Sequence, residues 1–252
     1  MLRNSFLLMD GVGERTEQRI WEQGITTWED FRSADDINRI GDQRKQRHDR
    51  FLDKAEKNLD KQNAAFFDHT MPQAEQWRLY REFDGSIAYL DIETTGLDQR
   101  RDDITTVSIY DGDDATTLVQ GQDLSSERLA KELKKHGLLV TFNGKRFDMP
   151  FISESLGVDP DMPHVDLMYA CKQVGLSGGL KAIENQLGIG RDDIDDIDGR
   201  EAIRLWKQYQ RGNQDALETL VTYNQKDVIN LKPLMEETYH RLTERKFSPY
   251  ID

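Results

Sequence analysis

The sequence predicts an α/β protein, a mixed five-stranded sheet flanked by helices and preceded by a small N-terminal helical domain. Three observations predict it. From Phe83 onward, short β-like runs alternate with helical segments, as they do in α/β units. Two of those runs, Ile104–Tyr110 and Ala115–Val119, are separated only by the turn-forming Asp111-Gly112-Asp113-Asp114, so with the preceding strand they read as an antiparallel meander. Before Phe83 no such alternation occurs.

Three zones follow along the chain. Residues 1–35 carry glycine punctuation and the spaced aromatics Trp21, Trp28 and Phe31. Residues 36–82 read as a helical connector, basic over 39–50 and again at Lys54, Lys57 and Lys61, and closed by Pro72. Residues 83–252 carry the sheet. Strands are expected at 87–92, Ile104–Tyr110, Ala115–Val119, 138–142 and His164–Asp166. Helices are expected at 126–136 with Ser126 as cap, at 147–156 ended by Gly157, and at 167–174, Leu180–Leu187, 200–211 and 217–244. Pro233 falls inside the last of these and is a point for a kink.

Bulk properties set outer limits. The 252 residues suffice for one well-cored domain with a smaller appendage. Apolar runs such as Phe6-Leu7-Leu8-Met9 are far too short to cross a bilayer, so no membrane is expected. Asp10, Gly11 and Glu14 break the N-terminus before a signal peptide's apolar stretch can form. The single cysteine, Cys171, has no internal disulfide partner, and the cytoplasm is the expected compartment. A net charge of −13 argues mildly against a broad phosphate-binding surface, although local distribution decides more.

The chemistry-bearing residues fall in three places. The first strand ends in Asp91-Ile92-Glu93-Thr94-Thr95-Gly96-Leu97, and strand alternation puts Asp91 and Glu93 on one face. Two adjacent carboxylates there repel unless a cation separates them; the alternative is a solvated turn past the strand's end. The fourth strand runs into Asn143-Gly144-Lys145-Arg146-Phe147-Asp148, where Asp148 is equally a favourable charge at a helix start. In the last helix Tyr223 and Asp227 lie one turn apart on one face. An ordinary amphipathic helix, with Tyr223 packed and Asp227 in water, would look the same.

Taken in order, Asp-x-Glu-Thr-x-Gly-Leu, Asn-Gly-x-x-Phe-Asp and Tyr-x-x-x-Asp resemble the three motifs of the DEDD group of 3′-to-5′ exonucleases, of ribonuclease H-like fold. The resemblance covers about residues 83–243. Position 222, where the histidine subgroup would carry its histidine, is Thr222, which matches the tyrosine variant, DEDDy. Trp77-Arg78-Leu79-Tyr80 and the 199–231 stretch look most similar to the YprB-type branch.

The resemblance implies a catalytic set of Asp91, Glu93, Asp148, Tyr223 and Asp227. The four carboxylates would hold two divalent ions, Mg²⁺ or Mn²⁺ by their hard oxygen donors, and Tyr223 would orient the attacking water. It places Thr94, Gly96, Leu97, Asn143 and Phe147 beside the terminal nucleotide, with Gly96 permitting close approach and Leu97 wedging the last base; a simple turn after the strand is the other account of residues 94–97. The implied substrate is the 3′ end of single-stranded DNA or RNA, DNA slightly favoured. Asp166, between a strand and a helix, is expected to be a helix cap.

Residues 6–21, centred on Gly11-Val12-Gly13, resemble a helix–hairpin–helix motif, which implies contact with duplex DNA or with a protein. Asp10 and Glu14 beside the hairpin oppose phosphate. The acidic run at 191–199 fails the register of a calcium-binding loop and is expected to be surface loop. His164 is expected to be packed rather than ligating, and Cys171 buried. Two other functional classes stay open: a non-catalytic nucleic-acid-binding module that retains the fold, and a protein-docking element.

Overall fold

The computed structural model describes residues 1–190 and 198–251. Five strands form one mixed sheet in the order β3-β2-β1-β4-β5. They are β1 (Ile87–Thr94), β2 (Ile104–Tyr110), β3 (Ala115–Val119), β4 (Leu138–Thr141) and β5 (His164–Asp166). The first three are an antiparallel meander, while β1–β4 and β4–β5 pair in parallel. The expected α/β architecture, with a helical N-terminal region, is what is found.

Helices cover both faces of the sheet because β1 is apolar on both. Ala88, Leu90 and Ile92 point into a core with α5 (Ser126–Leu133) and α6 (Asp148–Leu156). Ile87 and Tyr89 point the other way, into a core that includes α7 (Leu167–Gln173), α8 (Leu180–Leu187) and α10 (Gln214–Lys246). Strand period two therefore sends Asp91 and Glu93 to the α10 side. The β1–β2 register slips at Glu93/Thr94: Glu93 faces Thr106 and Thr94 faces Ile104, leaving Thr105 as the extra residue of a bulge. A bulge beside acidic side chains re-aims them.

The helix α10 is continuous over 33 residues, through Pro233. Proline deprives the Ile229 carbonyl of its helical donor, but Pro233 and Ile229 both lie on the exposed side, so that carbonyl is not stranded in the core. α9 (Gly199–Gln210) starts at Asp198, whose carboxylate accepts from the Arg200 and Glu201 amides, 2.9 Å each.

The first 82 residues form α1 (Glu14–Trp21), α2 (Trp28–Ser33), α3 (Asp42–Asp60), α4 (Ala64–Thr70) and a 3-10 segment, Gln73–Glu82. Their apolar side chains join the α10-side core rather than enclosing their own: Leu2, Phe6, Trp21 and Phe31 belong to one cluster with Leu231, Met235 and Phe247. Trp21 packs edge-on to Phe247 at 5.2 Å. At the seam Arg78, 1% exposed, donates to Glu75 Oε2 at 2.8 Å and to Glu17 Oε1 at 3.1 Å. Glu17 Oε1 also accepts from Ser5 Oγ and the Phe6 amide.

Several boundaries differ from expectation. Ser125, not Ser126, caps α5, since a cap must be extended: Ser125 has φ −147° and accepts from the Arg128 amide, while the helical Ser126 donates to the Leu156 carbonyl. Pro72 opens the 3-10 segment rather than closing the helical region. Asp91 and Glu93 both lie within β1, not in a solvated turn beyond it. Asp166 does cap α7, accepting from the Met168 amide, Gly157 ends α6 in the left-handed conformation, and Cys171 is buried. The 191–197 part of the expected acidic loop lies outside the described residues. Among those described, no helix is long and apolar enough to cross a membrane.

Candidate active site

Four carboxylates from three parts of the chain converge where β1 passes under α10. Oxygens of Asp91, Glu93 and Asp227 all lie within 4.8 Å of one another. Asp148, 3% exposed at the start of α6, stands outside that group but beside it, close enough to raise the pKa of both Asp91 and Glu93. The Ile92 amide of β1 favours its ionised form, against burial. Asp227 is 5% exposed and Tyr223 7%, so the shared face of α10 is buried against the sheet rather than wetted.

Electrostatically the cluster is under stress. Burial, then Asp148, Asp227 and Glu93, hold the Asp91 carboxyl well above the usual range, against the Asn224 hydrogen bond. Burial, then Asp227 and Asp148, push Glu93 up to about 8. Burial also pushes Asp148 up to about 7, opposed by its own amide and that of Ile92. These groups must carry protons or share a positive charge. The donor set is hard oxygen with no nitrogen or sulfur, which suits Mg²⁺ or Mn²⁺. The residues fit a divalent cation among Asp91, Glu93 and Asp227, with Asp148 beside them.

This stress predicts a pH dependence. A carboxyl raised on folding is penalised in its ionised form, so stability falls as pH rises from about 4.5, the ordinary value, towards 7–8. In EDTA the melting temperature should therefore drop between pH 5 and pH 8. Saturating Mn²⁺ should restore it by roughly 5–10 °C at pH 8 and by less at pH 6, where protons compete. Thermal denaturation across pH, with and without metal, checks this; a Mn²⁺ shift that is flat with pH would refute it.

Other side chains hold the acids in place. Asn224, fully buried, donates from Nδ2 to Asp91 Oδ2 at 2.7 Å and accepts from Thr106 Oγ1 at 3.0 Å, which ties α10 to β1 and β2. Lys181 on α8 lies 5.5 Å from the Tyr223 ring centroid, and its charge lowers the pKa of Glu93. Sequence reasoning missed both. Asn224 stands between two recognised residues, but its partner lies 133 positions away, and nothing near Lys181 marks it.

A cleft of about 450 Å³ opens beside Glu93. Thr94, Gly96, Leu97 and Phe147 line it, four of the five residues expected at a strand end. Leu97 is 83% exposed, a large apolar side chain standing in solvent. Asn143 is not in that lining: at φ 64° it turns the β4–α6 loop, and its amide donates to Asp166 Oδ1. The far wall is Asp198, Gly199, Arg200 and Ile203 of α9, which no motif indicated. A side chain at Gly96 would also have to displace the Asp102 carboxylate. A Cβ there would sit 2.3 Å from Asp102 Oδ2, and Asp102 is fixed by the Asp98 amide at 2.9 Å.

The family model described as RNase_H superfamily matches residues 88–239, more than half the chain. The chain belongs to the ribonuclease H superfamily. Solved structures similar to this superfamily member include one described as the apo form of a nuclease, at 21% identity and a TM-score of 0.48, covering 70% of this chain and 81% of that one. Brucella melitensis NrnC with bound Mg²⁺ is 24% identical with a TM-score of 0.49, covering 67% and 79%. Brucella melitensis NrnC bound to pGG is 22% identical with a TM-score of 0.44, covering 67% and 81%. No curated protein matches.

Proposed function

We propose that this ribonuclease H-like protein is a cytoplasmic, metal-dependent 3′-to-5′ exonuclease of the tyrosine-variant DEDD type, nearest the YprB-type branch. Its substrate is single-stranded DNA or RNA, DNA first, and its product nucleoside 5′-monophosphate. The observation that carries this reading is the meeting of Asp91, Glu93 and Asp227 within 4.8 Å beside the buried Asp148. Repelling acids so placed make physical sense as a receptor for cations and, through them, for phosphate. That receptor also removes the difficulty of the −13 charge.

Asp91, Glu93, Asp148 and Asp227 are the metal ligands in this reading. Two bound Mg²⁺ or Mn²⁺ ions would supply an acidified water and charge neutralisation at the scissile phosphate. Asn224 keeps Asp91 in its ligating rotamer. Tyr223, on the Asp227 face of α10, orients the water with its hydroxyl. Thr94, Gly96, Leu97 and Phe147 cradle the terminal nucleotide, with Leu97 as the apolar wedge against its base, and Asn143 shapes the loop that presents Phe147 and Asp148. Residues 83–252 are the catalytic domain and 36–82 its connector. Residues 1–35 are a hairpin element for duplex DNA or a protein partner.

The test is incubation of the pure protein with 5′-labelled single-stranded DNA and RNA in Mn²⁺, Mg²⁺ or EDTA. A ladder shortening from the 3′ end, present with metal and absent in EDTA, is expected. Binding without hydrolysis under every metal would leave a non-catalytic module on the same fold.

A further inference from the structure

A second cavity, of about 500 Å³, lies between the Gln73–Glu82 segment and α7, and nothing above uses it. Its wall includes Trp77, Lys145, Arg146 and Tyr169, with one carboxylate, Asp166. Tyr169 is 42% exposed, one of the few large rings left to solvent. Arg146 is exposed and Lys145 partly buried. Burial lowers the Lys145 pKa, against the raising influence of Asp166 and Asp68, the sign of an ammonium short of solvent. The acids that act on Lys145 are Asp166 and Asp68, and both are already engaged. Asp166 accepts from the Asn143, Lys145 and Met168 amides, and Asp68 from Gln76 Nε2. Among the described residues, Lys145 Nζ donates a long, 3.4 Å bond to Gln76 Oε1.

An open aromatic ring beside two cations is the chemistry that recognises a nucleotide: a face for the base and charge for the phosphate. The volume suits one small ligand and excludes a duplex. Position says where that nucleotide comes from. Lys145 and Arg146 immediately precede Phe147, which lines the cleft beside Glu93, and two residues span at most about 7 Å. On a chain of net charge −13, this lining sets two cations, Lys145 and Arg146, against one carboxylate, Asp166.

We propose that this cavity binds an upstream nucleotide of the single strand whose 3′ end enters the carboxylate cleft, its base on Tyr169 and its phosphate on Lys145 and Arg146. The choice of a strand over a free nucleotide rests on the nuclease reading; the nucleotide chemistry of the cavity does not. The cavity includes Gln73, Ala74 and Trp77 from the connector, so this subsite is built partly outside the 88–239 match.

The experiment measures binding in EDTA, apart from catalysis. Anisotropy of a labelled eight-residue oligothymidylate and calorimetry with thymidine monophosphate are compared for the wild type, Tyr169→Ala, Tyr169→Phe and Arg146→Ala. Tyr169→Ala should weaken oligothymidylate binding about 5- to 150-fold, the worth of one stacked base, and Tyr169→Phe should retain it. Arg146→Ala should reduce the salt slope by about one. Monophosphate binding that is weakened by the same variants identifies a free nucleotide as a second occupant. Equal oligothymidylate binding by all four proteins, or no binding of either probe to the wild type, overturns the proposal. Hydrolysis is scored separately in Mn²⁺: binding with the expected variant pattern but no hydrolysis supports the subsite and sinks only the nuclease reading.

Discussion

Asp91→Asn should reduce metal-dependent hydrolysis at least about a thousandfold while making the metal-free protein more stable. The two halves have one cause. Asp91 is the acid on which Asp148, Asp227 and Glu93 all act, at the centre of the cluster, and burial compounds their repulsion. An amide of the same shape removes one of several mutually repelling buried charges, so the melting temperature in EDTA should rise, by an amount corresponding to roughly 0.5–2 kcal/mol. The same change deletes the ligand that both proposed cation positions share, so the Mn²⁺-induced thermal shift should largely vanish. Calorimetric melts and single-turnover assays on one preparation read both effects. A variant that loses activity and stability together would mean that Asp91 is structural, and the cation reading would go with it.

The largest structural effect is expected far from the site, at Arg78. Its guanidinium is 1% exposed and bridges Glu17 of the N-terminal region to Glu75 of the connector, with Trp77 and Trp21 about its face. Arg78→Met fills similar space but leaves Glu17 buried without its cation, and breaking one side of such a pair costs about 3–5 kcal/mol. Burial already raises the Glu17 pKa, with Arg78 the chief opposing influence, so its loss should drive Glu17 to take up a proton. Urea denaturation should show the loss, and it should be greater at pH 8 than at pH 5. Adding Glu17→Gln should recover part of it, because a neutral amide can still accept from Ser5 Oγ and the Phe6 amide. A loss below about 1 kcal/mol would mean that apolar packing, not this network, joins the first 35 residues to the rest.

What was legible in the sequence was what depends on local period and chain order. Alternation placed Asp91 and Glu93 on one face, and helical spacing placed Tyr223 with Asp227, because those relations are fixed within a few residues. The five strands were visible because their turns carry glycine, aspartate and asparagine at the right intervals. What was not legible was whatever is decided across the chain. Asn224 looks like any helical asparagine until α10 packs on β1 and β2 and its amide meets Asp91 and Thr106. Asp198 and Arg200 carry no motif, and only the placement of α9 makes them a wall of the cleft. The merger of the N-terminal helices into the α10-side core was hidden for the same reason, since Trp21 and Phe247 are 226 positions apart yet touch. Ser125 and Ser126 show a finer limit: both are capable caps, and the choice is made by backbone conformation.

The continuity of α10 has a mechanical corollary. Asp227 and Phe247 sit on one rod, about 30 Å apart at 1.5 Å per residue. At one end are the acids; at the other, Phe247 and Tyr250 are wedged against Trp21. Such a rod transmits force along its axis with little loss, and its natural flexing point is Pro233, where a ladder bond is missing. A partner that pulls on the amino-terminal helices would therefore load the carboxylate-bearing end of α10 through Pro233, with no loop needing to rearrange.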